Sequence, residues 1–128
     1  MRNTMDNLHQ LAVSEAAEKI KNGELSAVDL MESFISRSDQ LNPELQIWAS
    51  MDAEVAINKA VAAQKKIEIG KNIGPLEGIP IGVKDIFLTN GIRTSNGSPI
   101  YASFVPQYDA TSVARLVNAG GIVMGKTI

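Results

Sequence analysis

The sequence predicts an α/β fold rather than a helical bundle, on three observations. Three stretches before residue 70 carry apolar residues at spacings of three and four, the mark of helices with one buried stripe. Gly78–Asp85 then alternates with period two, as a strand does. Finally, a second helix-periodic stretch after Asp109 leads into Ile122-Val123-Met124, a short apolar run of the buried-strand kind. Helices followed by strand, loop, helix and strand describe layers of helix on sheet.

Each element has a local cause. Ser14 can cap the first helix, with Glu15 and Glu18 complementing its dipole, and Asn22-Gly23 supplies the left-handed residue that stops it. Ser26 to Asp29 is a capping-box-like start for a second helix. Its stripe is Ala27, Leu30, Met31, Phe34, Ile35 and Leu41, and Asn42-Pro43 is expected to end it, because the residue before proline is pushed out of the helical region. Glu44–Ser50 reads as a short extended link with the single tryptophan, Trp48, as a packing anchor. A third helix runs from Asp52 through Val55, Ala56, Ile57, Ala60, Val61, Ala63 and Ile67 to a stop at Gly70. Lys65 and Lys66 lie near its negative end.

Beyond the Gly78–Asp85 strand, Asn90-Gly91 is a turn signal, and Thr94–Pro99 is a polar loop of the kind that carries ligand contacts. Asp109 can cap a fourth helix with Val113, Leu116 and Val117 on its buried side, ended by Gly120. The chain divides into a helical part, about 11–70, and a sheet part, about 74–128. Its most apolar strand is its last, so it reads as a piece cut from a longer domain. Residues 1–10 read as a frayed lead-in, with His9 a surface or capping group.

Composition narrows the function. The chain has 128 residues, 45% of them apolar, enough for one core. Twelve basic against 14 acidic residues give a formal charge of −2 and no electrostatic reason to expect nucleic acid or an anionic membrane. With no cysteine and one histidine, thiolate and histidine metal sites are not expected, and no cofactor is implied. The polar amino terminus lacks a signal peptide's apolar core and no run is long enough to span a bilayer, so a cytoplasmic protein is expected.

One residue stands out chemically. In Ile79-Pro80-Ile81-Gly82-Val83-Lys84, the Ile and Val side chains share one face, while Lys84 shares the other with residues of little bulk. If the apolar face is buried, Lys84 could sit partly desolvated, which favours the neutral amine and makes it usable as a base. The same pattern also fits an edge strand whose lysine faces water. A second pattern, Gly120 to Thr127, satisfies the phosphate-loop spacing G-x-x-x-x-G-K-[ST] by letters alone. Its Ile-Val-Met interior suits a buried strand better than a solvated loop, and no helix follows to hold phosphates, so nucleotide binding is not expected.

Taken together, Gly74-Pro-Leu-Glu-Gly-Ile-Pro-Ile-Gly-Val-Lys-Asp85, Thr94-Ser-Asn-Gly-Ser98, Asp109-Ala110, Ala119-Gly120 and Gly125-Lys-Thr127 resemble the amidase signature family. Gly23–Ser26, Leu41-Asn-Pro43 and the Asp52–Ala63 stretch are similar to that family's amino-terminal helices, so the resemblance covers Leu11 to Thr127. It implies amino-terminal helices packed on part of a mixed sheet, an incomplete amidase-signature fold. It also implies hydrolysis of carboxylic amides by a serine–cis-serine–lysine triad, with Lys84 the catalytic lysine. Asp85 would be a structural partner, bonding backbone or a cation.

The family's two serines lie in a Gly-Ser-Ser-Gly-Gly-like stretch that is absent here. Ser95, Ser98, Ser103 and Ser112 do not match it and read as loop, capping or surface hydroxyls, and Ile128 stands where the family usually has asparagine. The chain alone is therefore expected to be inactive, with a small-molecule amide as substrate only once the site is completed. Open sheet edges would favour self-association. The other reading is a non-enzymatic small domain that keeps this scaffold for binding or self-association.

Overall fold

Four helices and three strands make up residues 7–128, the part of the chain that the computed structural model describes. Helix α1 spans Val13–Lys21, α2 Ala27–Leu45, α3 Ala53–Ile69 and α4 Thr111–Asn118; the strands are β1 Trp48–Met51, β2 Pro80–Lys84 and β3 Ile122–Thr127. The sheet order is β1-β3-β2, with β3 antiparallel to β1 and parallel to β2. The mixed sheet and its covering helices are those expected. The last strand in sequence is thus the central one in space, which is why every residue from Ile122 to Lys126 is buried.

Three apolar clusters hold the layers together. Ala56, Ala60 and Ala63 line one side of α3, small enough to bring it close to Met31 and Ile35 of α2 and Ile122 and Met124 of β3. Ala16, Ile20, Leu25, Leu30 and Ile79 join α1 and α2 to the start of β2. On the other side of the sheet, Val83 and Val123 pack on Val113 of α4. Each buried aliphatic side chain contributes about 1.5–3 kcal/mol relative to exposure.

Several helix boundaries follow their local signals. Ser26 Oγ accepts from the Val28 and Asp29 amides, Asp52 Oδ1 accepts from Val55, and Gly70 closes α3 at φ 76°. Others move. Helix α1 begins after Ala12 with no side-chain cap, so Ser14 lies inside it rather than at its start. Helix α2 runs past Pro43 to Leu45, since proline this near the end removes just one internal bond. Asn42 still organises the exit, its Oδ1 accepting from the Ile47 and Trp48 amides at 2.9 and 3.2 Å. The expected link after it pairs with β3 and so becomes β1.

In the sheet part, Asp109 does not cap α4; its Oδ1 accepts from the Asn90 amide at 2.7 Å and ties that turn to the helix start. Leu116 and Val117, expected on the buried side, are exposed, leaving Val113 as the helix's buried anchor. Asn90-Gly91 does turn the chain, with Gly91 at φ 72°, but no strand flanks it. At the amino terminus, Leu8–Gln10 form a 3-10 turn rather than a frayed end, with Leu8 packed on the second cluster and His9 beside Ser33 and Phe34. Residues 1–6 of the expected lead-in lie outside the described residues.

Candidate functional site: a strand-end lysine and a buried ion pair

Alternation places Lys84 as expected, at the carboxyl end of β2 and on the face opposite Val83. Its neighbours on both sides, Val83 and Asp85, are buried at 6% and 5% exposure, so the lysine between them is directed the other way. On that other face Gly82 leaves room for Trp48. A Cβ at Gly82 would stand 3.5 Å from the indole, and one at Gly125, its partner on β3, 2.9 Å. Trp48 is therefore the packing anchor expected, lying across two glycines one step inward from Lys84.

The dry setting expected for Lys84 is not found: the side chain is exposed. β2 is an edge of the sheet formed by the described residues. Burial of one face of the strand fixes the lysine's direction without removing its water.

The desolvated lysine is a different one. Lys126, on β3, is fully buried, and its Nζ donates to the Phe87 carbonyl and to Thr94 Oγ1, both at 2.8 Å, with Asp85 Oδ1 at 3.7 Å. Burial holds its pKa below the ordinary lysine value of 10.5, opposed by the nearby charge of Asp85. Asp85 in turn accepts from the Ser95 amide at 3.2 Å and from the Ser95 hydroxyl. Its backbone N–H donates to the Thr127 carbonyl, and its own carbonyl accepts from Asn96. Asp85 thus bonds backbone and a cation, as expected of a structural partner.

Sequence reasoning misses Lys126 because it reads the buried strand as Ile122-Val123-Met124 and stops it two residues short of the lysine. Gly125-Lys126-Thr127 continues β3, three residues beyond the expected Ile122-Val-Met run. The overlooked signal is register: Val83 pairs with Lys126, so a lysine shares the buried face of the valine. The hydroxyls are accounted for locally, with Ser95 on Asp85 and Ser98 capping the 3-10 turn at Pro99–Tyr101, while Ser103 and Ser112 are exposed.

A cleft of about 440 Å³ lies elsewhere, between α3, α4 and the Asn90 turn; its charges are largely paired, Lys66 with Glu77 at 3.1 Å and Asp109 with the Asn90 amide, and Lys84 is not among its lining. Among the described residues no three metal-ligating side chains gather, and no helix is long and apolar enough to cross a membrane.

These features define a mixed-sheet α/β unit with a lysine exposed at the end of a parallel strand and a buried ion pair beside it. Comparison with known proteins gives the class a family. The family model described as Amidase matches residues 29–128. The chain is 41% identical over 122 residues to the A-type subunit of the glutamyl-tRNA(Gln) amidotransferase of Chloroflexus aggregans, covering 95% of this chain and 25% of that protein. Among solved structures, the peptide amidase of Stenotrophomonas maltophilia is similar at 30% identity and a TM-score of 0.86, covering 95% of this chain and 25% of that one. A fatty acid amide hydrolase superposes at a TM-score of 0.91 over 99% of this chain and 22% of its own, a likeness of fold at 23% identity. The chain belongs to the Amidase family, and it spans about a quarter of the length of the curated relatives it matches.

Proposed function

We propose that the chain is the amino-terminal part of an amide hydrolase and supplies its general base. Lys84, as neutral amine, takes a proton from a cis-serine, which in turn deprotonates the nucleophilic serine attacking a carboxylic amide. Both serines and the oxyanion donors come from sequence outside these 128 residues, and the complementary part of the fold supplies the dry surroundings that Lys84 lacks here. The 128-residue chain by itself is inactive; the completed enzyme works in the cytoplasm and needs no cofactor. The observation that supports this most is the Lys84 strand end. Its backbone is bracketed by two buried residues while its side chain is exposed, in a chain matching a quarter of longer amidase-family proteins.

The test joins this chain to the part of the Chloroflexus aggregans relative that follows its matched segment and measures ammonia release from simple amides and from glutamine. The joined protein hydrolyses amides, its Lys84→Ala form loses at least about a thousandfold, and the 128-residue chain releases none. A second reading, a small non-enzymatic domain that associates through its sheet edges, is favoured by the exposed Lys84 and by the edge positions of β1 and β2. It expects Lys84→Ala to change nothing.

A further inference from the structure

We propose that Lys126 is a positioning residue for Lys84, acting through Asp85, an inference that rests on the reading of Lys84 as the base. A buried ion pair is a costly way to fill a core, since apolar side chains in place of both partners often stabilise as well or better. The acceptors around Lys126 define what the ammonium does there. Asp85 and Phe87 lie one and three residues beyond Lys84, and Thr94 opens the polar loop. One ammonium therefore joins the central strand, the chain just after Lys84 and the Thr94–Asn96 loop.

The network continues outward from each acceptor. Thr94 Oγ1 donates its own proton to the Ile92 carbonyl at 3.2 Å, and Asp85 holds both the amide and the hydroxyl of Ser95. The Asn96 amide closes back on the Asp85 carbonyl at 2.9 Å. With Val83 packed in the apolar cluster and Asp85 locked by Lys126, the residue between them has one direction open to it. Lys126 sits on the face opposite Lys84 and touches nothing that Lys84 would act on, so it orients the base and takes no part in proton transfer.

The test uses the 128-residue chain, with amide hydrogen exchange and backbone NMR relaxation on Lys126→Met, Asp85→Asn/Lys126→Met and Thr94→Val. In Lys126→Met, exchange at Ser95 and Asn96 rises at least about tenfold while α1–α3 keep their protection. The Lys84 order parameter falls from about 0.85 toward 0.6. The double variant leaves no unpaired buried charge and recovers most of the lost melting temperature, yet Lys84 stays loosened. Recovery of Lys84 order in the double variant would overturn the proposal, because the ammonium would then matter only for charge balance. Should Lys126→Met not fold, Thr94→Val decides: a several-fold rise in exchange at Ser95 and Asn96 supports the latch and unchanged exchange overturns it. None of these readouts uses hydrolysis. Loss of the latch alone leaves the base assignment intact, and a Lys84 found dispensable in the joined protein leaves the latch intact.

Discussion

Lys84 and Lys126 stand at the same end of a parallel strand pair and on opposite faces of it, one in water and one fully buried. The register sets this, since Val83 is opposite Lys126 and Lys84 is opposite Thr127. Two residues of one chemistry are thereby given different settings: one amine is open to solvent, and the other is bonded within the core.

The buried partner should dominate stability. Lys126→Met leaves the Asp85 carboxylate without its cation, and breaking a buried pair from one side costs about 3–5 kcal/mol, read as a lower urea midpoint. Lys84→Ala, at an exposed position, should stay within about 0.5 kcal/mol of the parent.

The same pair gives a pH signature. Burial lowers the folded-state pKa of Lys126 below the ordinary 10.5, so between these two values the unfolded chain binds more protons than the folded one. Stability therefore rises with pH across that window, and falls as pH drops through the folded-state pKa. The parent chain should show this rise in urea titrations at alkaline pH, and Lys126→Met should lack the share that Lys126 supplies.

The Trp48 slot depends on the missing Cβ at Gly125. In Gly125→Ala the new carbon would meet the Ser50 carbonyl at 2.8 Å, the indole at 2.9 Å and Met51 at 3.0 Å, and backbone cannot yield cheaply. The expected loss is about 1–3 kcal/mol with a shift in tryptophan emission. Unchanged emission and stability would show that the indole does not lie there.

Two serines separate the cap that exists from the one that does not. Ser26→Ala should cost about 1 kcal/mol, because its hydroxyl serves two orphan amides, whereas Ser14→Ala, inside α1 and exposed, should cost less than about 0.5 kcal/mol. Thermal melts of the two variants distinguish them.

What could be read from the sequence was whatever local chemistry settles. Ser26, Asp52, Gly70 and the alternation through Lys84 act over a few residues, and the elements they imply formed where expected. What escaped depended on partners far along the chain. Trp48–Met51 becomes a strand only because Gly125–Thr127 pairs with it, and Asp109 leaves the helix cap because Asn90 is near. Lys84 was legible as a direction but not as an environment, because solvent is excluded by packing against distant segments. Lys126 was hidden for the same reason, its burial fixed by a register that spans some forty residues.

The most direct measurement is ammonia release by the joined protein with and without the Lys84 amine. Turnover that collapses at least about a thousandfold in Lys84→Ala, while the fold and melting temperature hold, is the expected result. Undiminished turnover in that variant would mean that the base is some other group, and that the strand-end lysine is a surface residue.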